Sequence, residues 1–200
     1  MKKNREKIKY SLFLILLISI LTLTIIGCSS SNNVNNEIIE EDEVFDQLIA
    51  KDFDLTLEGY GAKGAFADKD MSIGDMLMYA VQDEYIARAE YAAIIEEFDV
   101  TRPYSNILKS EETHLDYLKD IYETYNLVFP KDESSALLVM PTSLLEAAKA
   151  GVEAEIANIA MYEKFLKYEL PEDIKNVFDT LVNGSKNHLA AYQKQVEKLS

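Results

Sequence analysis

The chain of 200 residues has one cysteine, no tryptophan and only two histidines. A single cysteine cannot form a disulfide within the chain, and it cannot build a metal site made of several thiolates. Side-chain packing must therefore stabilise the fold. Any metal site would have to use carboxylates and these two imidazoles.

Basic residues are also scarce, with 20 Lys and Arg against 35 Asp and Glu. Residues 1–27 contain five of these basic residues and one of the acids, so the rest of the chain has a formal charge of −19. Nucleic-acid binding needs a basic surface, so this partner is excluded. A solvated acidic surface accounts for most of this charge. The sequence also contains no Gly-rich phosphate loop, nucleophile elbow or paired-acid glycosidase motif.

The first 27 residues have the layout of a secretory signal peptide. Residues 2–9 (KKNREKIK) are basic, and residues 10–26 (YSLFLILLISILTLTII) are apolar and uncharged. The segment ends in IIGC at residues 25–28, which resembles the lipobox of bacterial-type lipoproteins, where the cysteine is acylated. These features predict an extracytoplasmic protein that a lipid on Cys28 anchors to the cell membrane. The alternative is an uncleaved transmembrane anchor, because the apolar run is at the short end for a membrane-spanning helix.

Composition divides the remainder into two parts. Residues 28–59 are rich in Ser, Asn and Glu and predict a flexible acidic or polar spacer. Glycines in residues 57–66 (LEGYGAKGAF) predict irregular chain. Residues 60–200 are long enough for one domain with a substantial core.

Four apolar-periodic segments in this domain predict four long helices. The first begins at Ser72, with Asp75 placed for a capping box, and ends near residue 98. The others are predicted at about 103–126, 142–168 and 171–199. Short loops within each pair predict two antiparallel hairpins, and residues 127–141 are long enough to cross between them. The predicted fold is an all-α four-helix bundle of ferritin-like arrangement.

Each predicted apolar helix face is interrupted near its middle by polar residues, which include both histidines of the chain. At 1.5 Å of rise per residue, their distances from the hairpin turns place them at similar depths. The two hairpins also share a spacing, because in the first helix of each a tyrosine follows the interrupting glutamate by seven residues. This repeat suggests a pseudo-twofold site. The interrupting residues are Glu84, Glu111, His114, Glu155 and His188.

Several unpaired carboxylates in an apolar core would be very costly. Carboxylates and imidazoles that project inward from four helices are the ligand set of di-iron and di-manganese carboxylate proteins. The spacing of Glu111 and His114 turns both side chains toward one ion. The pattern therefore predicts a metal site with iron, or alternatively manganese or zinc.

The segments DEYIARAEYAAIIEEF, SEETHLDYL, EAEIANIAMYEKF and GSKNHLAAY resemble the helices of a ferritin-like, rubrerythrin-related family, in a branch without an assigned biochemical function. By position, Glu84 is similar to the helix-one terminal ligand and Glu111 to a bridging carboxylate. Likewise, Glu155 is similar to the helix-three carboxylate, and the histidines are similar to the two nitrogen ligands. The sequence departs from the family at Ser185, where the pattern has a second bridging Glu. This departure leaves open whether one or two ions bind.

Three functions fit these observations. The resemblance implies a redox enzyme that oxidises Fe²⁺ with O₂ or peroxide, and electrons would then come from a partner because the chain has no rubredoxin-type module. The second is metal binding without turnover, which the Ser185 departure favours. The third is a metal-free helical bundle at the cell surface that acts in protein interaction. The oligomeric state is open, a homodimer included.

Several assignments have a structural alternative. Glu111 and His114 could belong to an exposed polar face, and Glu84 could pair with Arg88 four residues later. Glu153 competes with Glu155 as the helix-three ligand. Tyr91 and Tyr162 are best explained as core aromatics, with a hydrogen-bonding or radical role beside the metal as the alternative.

The lipobox-like motif leads to a first prediction. Changing Cys28 to Ser should release the protein from the membrane fraction or mislocalise it, because the acyl chain would have no attachment point. Fractionation and the mass of the processed N-terminus measure this. Unchanged processing and membrane association would favour the transmembrane anchor instead.

Overall fold

The computed structural model of the protein describes Phe53 and residues 55–200, and this part is all-α, with five α-helices and no strand. The predicted signal peptide (1–27), Cys28 and most of the predicted spacer (28–59) lie outside the described residues. No helix within the described part is long and apolar enough to cross a membrane. The helices are α1 (Gly61–Ala67), α2 (Ile73–Phe98), α3 (Tyr104–Thr124), α4 (Leu144–Phe165) and α5 (Glu172–Leu199).

Helix α2 begins with the predicted capping box, and this local prediction is confirmed. The Ser72 side chain accepts a hydrogen bond from the Asp75 backbone N–H, and the Asp75 carboxylate accepts one from the Ser72 N–H. The same carboxylate accepts hydrogen bonds from the N–H and hydroxyl of Thr56, at 2.7 and 2.8 Å. Phe53 also packs on Tyr125. The packed part of the chain therefore includes residues ahead of the predicted boundary at residue 60.

Residues 61–67 form helix α1, so the prediction of irregular chain there is wrong. The side chains of Gln82 and Asp83 accept hydrogen bonds from backbone N–H groups of its first turn, at 2.8 Å each. At the other end, Lys164 donates to the carbonyls of Ala65 and Asp68. These partners are distant in sequence, and a local pattern cannot reveal them.

The four long helices pack in two pairs. Five residues join α2 to α3 and six join α4 to α5, so each pair runs antiparallel, whereas α3 and α4 are separated by residues 125–143. Contacts between α2 and α4 and between α3 and α5 bring the two pairs together. Helix α4 ends at Phe165, slightly earlier than the apolar pattern predicts.

The buried apolar residues form two separate clusters. One includes Val81, Leu118 and Phe178 and fills one end of the helices, while the other includes Tyr91 and Tyr192 at the opposite end. Along every long helix, the interrupting polar residues lie between positions of these two clusters. The fold therefore holds a polar layer between two apolar layers.

Candidate metal centre

The polar layer contains five ionisable side chains that come from all four long helices. The helical periodicity turns each of them to the inside, between apolar residues three or four positions away. Their exposed fractions are 1% for Glu84, 2% for Glu111, 4% for His114, 4% for Glu155 and 6% for His188. The structure thus brings together all five residues that the sequence predicts as ligands.

Glu111 occupies the middle of this cluster. Its Oε2 lies 2.9 Å from Nδ1 of His114, and its Oε1 lies 3.1 Å from Nδ1 of His188. One carboxylate oxygen therefore faces each imidazole. This is the geometry in which a carboxylate can be shared between two ligand sets.

A further glutamate completes each set. Glu84 Oε2 is 3.1 Å from Nδ1 of His114, and Glu155 Oε1 is 3.4 Å from Nδ1 of His188. The ligand atoms of each set all lie within 4.8 Å of one another. The cluster is thus two sets of two carboxylates and one imidazole, with Glu111 common to both.

The two outer carboxylates accept hydrogen bonds from buried tyrosines on the opposite helix. Tyr91 on α2 donates to Glu155 on α4 at 2.9 Å, and Tyr162 on α4 donates to Glu84 on α2 at 2.6 Å. The seven-residue spacing that repeats in the sequence produces this exchange. Each tyrosine fixes the orientation of a carboxylate that faces one imidazole.

Burial and mutual contact shift the pKa values of the cluster. Burial disfavours a charged imidazole, but the facing carboxylates raise the pKa of His114 to about 10 and that of His188 to about 9. Burial also raises the pKa of Glu84 and of Glu155. For Glu111, burial acts to raise the pKa, but the contacts with the two histidines outweigh it, and the pKa is lowered. The imidazoles can thus serve as counter-charges, and a bound cation would replace their protons.

His188 offers a direct test of whether these residues fit a metal. Its Nδ1 is buried and has no hydrogen-bond partner of suitable geometry, although Glu111 and Glu155 oxygens lie nearby. Buried polar atoms are nearly always satisfied, so such an atom needs a partner. An ion between the imidazole and the carboxylates would provide it. The donor set fits iron, manganese or zinc.

Ser185 faces the same layer but supplies no charge. Its hydroxyl donates to Asn158 Oδ1 at 2.5 Å and also contacts the Leu181 carbonyl oxygen at 3.0 Å. Asn158 in turn donates to Asp83 Oδ2 at 2.6 Å. Neither Asn158 nor Asp83 was predicted from the sequence. Asn158 could have been found because it follows Glu155 by three residues, as His188 follows Ser185.

The other proposed residues lie away from the cluster. Glu153 is exposed, so the structure places Glu155 rather than Glu153 on the inner face of α4. Arg88 forms an ion pair with Asp132 and not with Glu84. The alternative pairing of Glu84 is therefore wrong.

Gly184 permits the close packing of α5 on His114. A Cβ atom at this position would lie 2.5 Å from Nε2 and 2.6 Å from Cε1 of the imidazole. Real Cβ contacts are not that short, so any larger residue would displace the ring. The absence of a side chain at Gly184 thus sets the position of His114.

Comparison with known proteins places the chain in a family. The profile described as Uncharacterized protein domain (DUF2202) matches residues 73–200, and the chain belongs to this family. The Uncharacterized protein MJ0754 of Methanocaldococcus jannaschii is 30% identical over 130 residues, which cover 58% of this chain and 70% of the relative. A crystal structure of hypothetical protein MJ0754 from Methanococcus jannaschii matches with a TM-score of 0.57 and 26% identity, over 66% of this chain and 85% of that chain. The family match includes all four helices that form the cluster.

The close approach at Gly184 leads to a second prediction. Gly→Ala inside a helix normally stabilises a protein by about 0.5–1 kcal/mol, but Gly184→Ala should destabilise this one by about 1–3 kcal/mol because it displaces His114. Chemical unfolding measures the change. Asn183→Ala, at the exposed neighbouring position, is the control and should have little effect. Stabilisation by Gly184→Ala would contradict the role of the close packing.

Proposed function

We propose that this member of the DUF2202 family is a metal-binding four-helix bundle of ferritin-like arrangement, with a site for two divalent transition-metal ions. The observation that supports this best is Glu111, which presents one oxygen to each of two similar Glu and His sets. Each ion would take one imidazole, one outer carboxylate and one oxygen of Glu111. The bundle consists of the hairpins α2–α3 and α4–α5, which residues 125–143 join.

The charge of the cluster is compatible with two ions. Two divalent ions exceed the charge of the three glutamates by one unit, while two protonated imidazoles fall one unit short of it. Both states are therefore close to neutral, as a poorly hydrated interior requires. The missing second bridging carboxylate at Ser185 weakens the hold on the ions without removing either ligand set.

Iron is the first candidate, and manganese and zinc are the alternatives, because all three accept carboxylate and imidazole ligands. The shared carboxylate also favours a second function, oxidation of Fe²⁺ as a substrate by O₂, because two ions at adjacent positions can together supply two electrons. A metal-free bundle that acts only in protein interaction gives no reason for three carboxylates and two imidazoles to share one buried layer.

We place this function outside the cytoplasm, at the membrane. The proposal depends on the signal-like residues 1–27 and the lipobox-like residues 25–28. A site in that location would meet ions from the surroundings of the cell. Electrons for any repeated turnover would have to come from another protein, because the chain has a single cysteine and no rubredoxin-type module.

A third prediction concerns thermal stability. An ion that binds only the folded state adds RT ln(1 + [L]/Kd), about 2.7 kcal/mol at a hundredfold excess over Kd. The purified full chain loaded with Fe²⁺ under anaerobic conditions should therefore melt at a higher temperature than the chelated chain. Calorimetry together with elemental analysis measures this. Equal midpoints and no bound metal would contradict the proposal.

The shared position of Glu111 leads to a fourth prediction. Glu84→Gln and Glu155→Gln should each weaken one of the two ion positions, whereas Glu111→Gln should weaken both, because Glu111 belongs to both ligand sets. Metal content per chain after identical loading measures the difference. Glu153→Gln, an exposed change on the same helix as Glu155, should leave the content unchanged. Equal losses in all three cluster variants would argue against two distinct positions.

A further inference from the structure

A narrow crevice connects the outside of the protein with the cluster. It lies between α2 and α4 and has a volume of ≈ 20 Å³, about the space for one water molecule. Ala154 lines it and is exposed, whereas Glu111 and Glu155 line it and are buried. The crevice therefore reaches two carboxylates of the proposed metal centre, including the shared one.

Small side chains keep this crevice open. Ala87 on α2 and Ala154 on α4 line it, and neither reaches across the gap between the helices. Ser185 lines its inner part, with its hydroxyl turned to Asn158. A glutamate in place of Ser185 would fill this space, so the departure from the bridging pattern also leaves room beside the cluster.

The lining of the crevice suits a cation. Asp83 stands beside it, and none of the residues that line it is Lys or Arg. A second cavity of ≈ 30 Å³ shares Tyr91 with the crevice and is lined by Glu90, which makes no hydrogen bond or ion pair within the described part of the chain. Burial raises the pKa of Glu90 to about 7, and the charges of Asp83 and Glu155 add to this effect. Above this pKa, ionised Glu90 adds a negative charge to this side of the bundle.

We propose that the crevice between α2 and α4 is the route by which divalent cations reach the metal centre. The inference depends on the proposed function. Its volume has room for about one water molecule, so a cation must lose most of its water shell there, and Glu111 and Glu155 at its inner end can replace those ligands. A negative lining also attracts cations and raises their rate of association, while it disfavours anions.

The test is to narrow the mouth of the crevice without touching a ligand. Ala154→Leu places a larger side chain at the exposed end, and Ala160→Leu makes the same change at an exposed position of α4 that lines neither cavity. Stopped-flow absorbance follows Co²⁺ uptake by the full chain and its release to a chelator. We expect Ala154→Leu to slow uptake and release several-fold by the same factor, because a narrower passage raises the barrier and leaves the equilibrium affinity unchanged. Ala160→Leu should match the wild type.

Removal of a negative charge gives a second test of the cation route. Above the pKa of Glu90, Glu90→Gln should slow Co²⁺ uptake and make the rate less sensitive to salt, because one attracting charge is lost. Glu153→Gln removes the same charge at an exposed position that lines neither cavity, and it should have a smaller effect.

The outcomes separate the two proposals. Wild-type uptake of Co²⁺ with rates unchanged in Ala154→Leu would overturn the route and leave the metal centre intact. A changed equilibrium affinity in Ala154→Leu would also overturn it, because Ala154 would then shape the site rather than the passage. A wild-type chain that binds no Co²⁺, Fe²⁺, Mn²⁺ or Zn²⁺ would overturn the metal centre, and the route with it.

Discussion

The burial of three carboxylates and two imidazoles in one layer is the constraint on which the rest of the structure depends. Removing ionised groups from water costs several kcal/mol each, so the layer must balance its own charge. Without a cation, protonated histidines can provide the balance, and the raised pKa values of His114 and His188 express this. A cation can take over the same role. The folded state is therefore compatible with both forms.

Packing of the surrounding helices fixes the positions of the side chains in this layer. Apolar clusters on both sides exclude water, and the tyrosines at 91 and 162 cross between α2 and α4 to orient the outer glutamates. Gly184 lets α5 approach close enough for the His114 ring. Each of these features helps to position the side chains of the layer, and none of them adds charge to it. Packing thus sets the geometry of the layer, and its five ionisable residues supply the charge that must be balanced within it.

The sequence predicted the long helices and the cluster well, because both depend on a repeated period. Five polar residues at matching depths on four apolar faces could be recognised without coordinates, and all five lie in the cluster. Long-range partners could not be recognised. Helix α1 forms because Lys164 and the side chains at 82 and 83 satisfy its ends, and Asn158 joins the layer through Ser185 and Asp83. Neither the glycine-rich sequence of α1 nor the single asparagine Asn158 indicates partners so distant in the chain.

The neutral side chain of Ser185 affects both the charge of the cluster and the space beside it. A fourth carboxylate there would stand close to Glu111 and Glu155, since all three line the same crevice, and it would repel them whenever ions are absent. Two imidazoles could not balance four carboxylates, so the ion-free fold would lose stability. With a serine bonded to Asn158, the ion-free layer stays near neutrality and the space beside the cluster stays open. The serine thus favours a fold that is stable without ions, and under the proposed function it would also weaken ion binding and ease ion exchange.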